Sequence, residues 1–138
     1  MYKHVIFILF VSAIFGWISF DTHVMKSEPT LIGAISSILF VIIMFFYSAY
    51  MGKQNYVNFA LFITKYWGIG LLIYIVGYYM LLGPLFYPAN FLLTIPIYGA
   101  IRYFFELSPS VSIGIFSILF LYFTCIVGYF LGRLIKRY

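Results

Sequence analysis

The stretch "TIPIYGAIRYFFELSPS" (residues 94–110) decides how many times this chain crosses a membrane. It sets Arg102 and Glu106 four residues apart among apolar residues, framed by Pro96 and Pro109. A segment that crosses a bilayer would bury that pair in hydrocarbon, where charges are costly and usually functional. A segment that stays at one face leaves the pair in water, where it costs little.

The rest of the chain establishes that lipid is the solvent. Of 138 residues, 65% are hydrophobic, 24% aromatic and only 8% charged, whereas a soluble domain carries about 25% charged and about 45–50% apolar residues. A compact soluble domain of this length could not bury so much apolar surface. The net charge of +5 does not point to nucleic acid. The eight Lys and Arg residues are scattered singly except for Arg133, Lys136 and Arg137, which follow an apolar helix as a membrane-flanking cluster does. Cys125 is the single cysteine, which excludes an internal disulfide and a cysteine-rich metal site. Its apolar surroundings make it a small buried hydrophobe. The opening residues imitate a secretory signal, with Lys3, an apolar run, then Ser12 and Ala13. The apolar character continues through Trp17 to Phe20, so a retained first helix is expected.

The expected fold is an all-α, integral membrane four-helix bundle, a single domain over 1–138. Its spans lie at about 4–21, 31–51, 59–82 and 110–132. Pro29 and Thr30 start the second; Gly52 and Lys53 end it. Lys65 interrupts the third, which Gly83 and Pro84 stop. Ser108 or Ser110 caps the fourth. Between the third and fourth, prolines at 84, 88, 96 and 109 divide the chain into apolar pieces too short to span. An outer interfacial or re-entrant segment is therefore expected over about 91–107.

The charge distribution supports four spans with both termini cytoplasmic. That layout puts Lys3, Lys53, Lys65, Arg133, Lys136 and Arg137 inside, and only Lys26 and Arg102 outside. Asp21, Glu28 and Glu106 all fall outside. A fifth span over 91–107, with the N-terminus inside, would translocate the basic C-terminal cluster. The expected location is a bacterial cytoplasmic membrane.

Several constellations are candidate functional groups. Arg102 and Glu106, at i and i+4 on a helix, can pair at an outer vestibule or a partner-binding rim. Lys65 lies within a span and either snorkels to the headgroups or serves a buried function. Tyr74 and Tyr122 fall near the middle of their spans, where a phenol needs a hydrogen-bond partner. Gly128 and Gly132 form GxxxG, and Ser12 and Gly16 share that spacing, as do Ser48 and Gly52. With Gly68, Gly70 and Gly77, they are candidates for close helix packing within or between chains. Asp21, Thr22, His23 and Glu28 form a polar loop expected to be solvated rather than metal-binding.

Absences narrow the function. There is no P-loop and no HExxH, and Gly68-Ile69-Gly70 lacks the strand context of a dinucleotide fingerprint. No Asp or Glu lies in any expected span, which weighs against a carboxylate proton relay. No cofactor, metal or catalytic set is expected. The leading expectation is a non-enzymatic accessory, assembly or regulatory subunit acting by helix–helix interaction, with another membrane protein or a second copy as partner. A small oligomeric transporter or channel is the alternative, and an interfacial enzyme using Glu106, Arg102 and His23 comes third.

Overall fold

The computed structural model describes residues 2–24 and 28–135. The described residues form helices joined by short turns, without strands: α1 (Tyr2–Ser19), a π-helical turn (Phe20–Val24), α2 (Leu31–Lys53), α3 (Asn58–Tyr79), α4 (Gly83–Leu93), α5 (Ile95–Phe105) and α6 (Val111–Ile135). Among them α1 with its π-helical extension, α2, α3 and α6 are long and apolar enough to cross a membrane.

Local chemistry sets the boundaries. The Thr30 hydroxyl accepts from the Gly33 N–H at 3.2 Å and caps α2. Ser110 does the same for α6 through Ile113 N–H at 3.3 Å. α3 ends three residues earlier than the expected 82. There Leu81 turns the chain with φ 55°, a left-handed conformation rare for a branched residue, and Gly83-Pro84 opens α4.

Helix directions follow from which residues touch. Added Cβ atoms at Gly128 and Gly132 would meet the backbone of Phe45 and Ala49. Both numbers rise together, so α2 and α6 run parallel. The α3–α6 pair is antiparallel: Phe59 faces Tyr129, Thr64 meets Tyr122, and Tyr74 meets Gly114. One end of the bundle thus carries Lys3, Lys53 and Arg133, and is called the basic end below. The other, the acidic end, carries Asp21, Glu28 and Glu106. Lys26, Lys136 and Arg137 of the expected charge pattern lie outside the described residues.

The parallel α2–α6 pair settles the path of the segment between α3 and α6. α4 folds back along α3, with Phe86 on Gly77 and Leu93 on Gly70. At Thr94 the chain bends by 64° into α5. Pro96 has no N–H to continue the α4 ladder, and proline disfavours helical conformation in the residue before it. The Thr94 hydroxyl also bonds back to the Asn90 carbonyl at 2.9 Å and to its side-chain amide oxygen. α5 then crosses to the start of α2, where Gly99 lies on the Gly33 carbonyl. The pair begins and ends at the acidic end, and its bend is buried: Thr94, Ile95, Ile97 and Tyr98 are each at most 8% exposed. Of the two alternatives expected over about 91–107, interfacial or re-entrant, the packing fits the re-entrant one, as a broken pair over 83–105 folded into the bundle. The physical reason is its proline-bounded turn of small and apolar residues, which packs on α1 and α2 rather than on solvent.

Packing is tightest where side chains are smallest. Gly52, Gly128 and Gly132 bring α2 and α6 into backbone contact, and Gly16 lies on the Phe91 carbonyl. Ser12, Ser19, Ser36 and Ser37 have buried hydroxyls without hydrogen-bond partners among the described residues, so these residues contribute by their size. Gly68 departs from this pattern. It is exposed, and among the described residues nothing lies within 4 Å of an added Cβ.

Candidate functional site

The inserted pair creates a cavity of about 750 Å³ between itself, α3 and α6. α3 contributes Tyr74 and Tyr78; α4 contributes Phe86, Tyr87 and Asn90. Thr94 and Tyr98 line it from the bend and α5, and Ser110, Gly114 and Ser117 from α6 and its approach. The phenyl ring of Phe86 lies 5.2 Å from that of Tyr74 and 5.6 Å from that of Tyr78, giving a continuous aromatic wall. Among the described residues no Lys, Arg, His, Asp or Glu lines the cavity.

Gly114 makes room for this wall. A Cβ there would overlap the Tyr74 hydroxyl, which places Tyr74 against the α6 backbone. The sequence reading did not single out Gly114. Its available signal was a glycine in the first turn of a helix that otherwise carries bulky residues. Several polar groups in the wall are held by the protein itself: Ser117 donates to the Ile113 carbonyl at 2.8 Å, and Tyr98 to the Leu107 carbonyl at 3.1 Å. Ile118, Leu121 and Trp67, further towards the basic end, are buried in the core. A pocket of this kind binds by aromatic stacking and a few hydrogen bonds. With no charged lining group, it offers nothing to offset the desolvation of an ion.

The candidates named from sequence separate into different places. Tyr74 lines the cavity. Tyr122 does not; its hydroxyl sits 3.3 Å from that of Thr64, nearer the basic end. Arg102 and Glu106 line a neighbouring recess of about 530 Å³ with Pro29 and Leu107, and Tyr98 and Pro109 are shared by both spaces. Glu106 does not continue the α5 face as an i+4 partner on a helix would. It is the residue after the helix, left-handed at φ 54°, with its N–H on the Arg102 carbonyl at 3.0 Å. Lys65 is exposed and borders a third, separate groove.

In the polar loop, the Thr22 hydroxyl donates to the Ile18 carbonyl at 2.7 Å, while Asp21 and Glu28 are exposed. The His23 side chain lies outside the described structure. Among the described residues no cluster of His, Cys, Asp and Glu could hold a metal.

The basic end holds a cluster that sequence reasoning passed over. His4 Nδ1 lies 2.6 Å from the Tyr47 hydroxyl, and the imidazole sits among the rings of Tyr56, Phe59 and Phe62. These residues come from α1, α2, the turn before α3 and α3 itself, and are far apart in sequence. Together with Tyr129, which donates to the Tyr56 carbonyl at 3.2 Å, they close that end of the bundle.

Compared with protein-family models, curated proteins and solved structures, the chain matches none.

Proposed function

We propose that the protein is a multi-pass membrane protein that binds a small uncharged molecule from the acidic end, as the subunit of a small oligomeric transporter. The observation that carries this reading is the cavity of about 750 Å³ with an aromatic wall, an Asn90 amide and, among the described residues, no charged lining group. Lys3, Lys53 and Arg133 gather at the far end, which suits a cytoplasmic basic end in a bacterial membrane.

The test is thermal unfolding of the purified protein in mild detergent, with a panel of uncharged aromatic and polyhydroxylic solutes including phenol, indole and monosaccharides. A ligand present at a hundred times its Kd stabilises by about 2.7 kcal/mol. At least one solute is expected to raise the Tm, and Ile113→Trp, which fills the cavity from α6, is expected to abolish the rise. No response across the panel, or a response that survives Ile113→Trp, would count against the site.

An accessory-subunit role is the second reading, and Gly68 favours it. The packing glycines of α2 and α6 are occupied within the chain, whereas Gly68 leaves a bare patch on α3. Another transmembrane helix could approach closely there. Gly68→Leu is then expected to release a co-purifying membrane partner while leaving the Tm of the chain intact. A lone monomer in mild detergent, or a partner indifferent to Gly68→Leu, removes this reading.

A further inference from the structure

A second concave surface lies on the outside of the bundle, on the opposite side of α4 from the candidate cavity. α1 and α3 meet at the basic end through His4 and the rings of Tyr56, Phe59 and Phe62. Towards the acidic end α4 packs against both of them, with Phe91 on Gly16 and Leu93 on Gly70. Between the three helices runs a groove of about 530 Å³, walled by Leu9, Ile69, Ile73, Leu85 and Leu92. Among the described residues Lys65 is its one charged lining group. From Lys65 to Ile73 the groove follows α3 for about 12 Å at 1.5 Å per residue. That is close to one leaflet of hydrocarbon, about 15 Å or half of a ~30 Å core.

The charge around Lys65 is unbalanced. All three side-chain carboxylates of the chain, Asp21, Glu28 and Glu106, belong to the acidic end. Lys65 lies in the basic half of α3, and Lys3, Lys53 and Arg133 surround that end. A lysine stem lying along the groove carries its ammonium towards the headgroup level of the nearer leaflet. An apolar trough one leaflet long, with a cation at its headgroup end and every side-chain carboxylate at the opposite end of the bundle, has the chemistry of a phospholipid seat.

From this geometry we infer that the groove between α1, α3 and α4 binds one anionic phospholipid of the basic-end leaflet. Its phosphate sits at Lys65 and an acyl chain runs along Ile69 and Ile73. Pro88 and Leu92 line both this groove and the candidate cavity, so the bound chain braces the wall the two spaces share.

Native mass spectrometry of the delipidated protein, titrated with phosphatidylglycerol or with phosphatidylcholine of identical acyl chains, tests the inference. The wild type is expected to bind phosphatidylglycerol about fivefold more tightly, the scale of one lysine at an anionic surface. Lys65→Gln is expected to bring that ratio to about one, and Lys53→Gln, which lies away from the groove, to leave it unchanged. Ile69→Trp, at an exposed wall position, is expected to reduce binding of both lipids while the Tm is kept. Equal affinity for the two lipids in the wild type overturns the proposal, as does a preference that survives Lys65→Gln. Undiminished binding to a folded Ile69→Trp variant removes the groove as its location. None of these readings depends on a solute in the cavity on the other side of α4.

Discussion

Leucine at Gly132 is expected to unfold the α2–α6 pair and with it the bundle. A Cβ at this position would already overlap the Ala49 carbonyl, and the Ala49 carbonyl carbon and Cα lie within 2.9 Å of it. Those neighbours are backbone, so no side-chain rotation relieves the clash. Gly52 lies against the Tyr129 carbonyl in the same interface, leaving no free side on which the helices could slide apart. Overpacking a core costs about 1–3 kcal/mol where side chains can yield. Here the upper end, about 3 kcal/mol or more, is expected. The measurement is unfolding in detergent by circular dichroism or by loss of a monodisperse peak on heating. A Gly132→Leu variant that melts like the wild type would mean that α2 and α6 do not meet through this face.

The second large effect is all-or-none. In a Cys125→Ala background, which removes the native thiol, single cysteines at Met80 and Ser108 are expected to react with an impermeant maleimide from the same side of the membrane. A cysteine at Gln54 is expected to react only from the other side. Met80 follows α3, Ser108 precedes α6 and Gln54 follows α2, and all three are exposed. The prediction rests on α2 and α6 being parallel. α3 alone then connects the two ends of the bundle between them, and the α4–α5 pair must return to the end from which it starts. Labelling of Met80→Cys and Ser108→Cys from opposite sides would make that pair a complete crossing and reverse α6. With the basic end cytoplasmic, intact cells should label the first two, and Gln54→Cys should label only after permeabilisation.

The positions of the long helices were legible because the signals are local. Thr30 and Ser110 announce helix starts by their own hydroxyls, Gly52 and Lys53 mark an end, and an uninterrupted apolar run of about 20 residues has the length of a span. The scatter of charge also gave the layout its two ends. Two helix ends moved by three residues: α6 runs on to Ile135, and α3 stops at Tyr79, just before Leu81 adopts a left-handed conformation that its residue type does not advertise. Pro96 and Pro109 correctly marked "TIPIYGAIRYFFELSPS" as broken, but punctuation says nothing about depth. The bend lies inside the bundle because Gly99 and Gly16 offer it surfaces on α5 and α1 that accept close backbone approach.

The candidate site was legible in part, through Tyr74. Tyr122 carried the same signal and belongs elsewhere, since a mid-span phenol announces a need for a partner without saying which helix supplies it. Gly68 and Gly70 are two residues apart and read alike, yet one faces empty space and the other Leu93. A soluble helix betrays its buried face by alternating apolar and polar sides. Helices that are apolar all round have no such mark, because lipid tails and protein side chains are equally good neighbours for leucine. The sequence by itself therefore determined how many long apolar helices there are and which ends carry which charge. Which faces meet, that α2 and α6 run parallel, and that a broken pair encloses an uncharged aromatic cavity were decided only by tertiary packing, where shape selects among partners that hydrophobicity cannot tell apart.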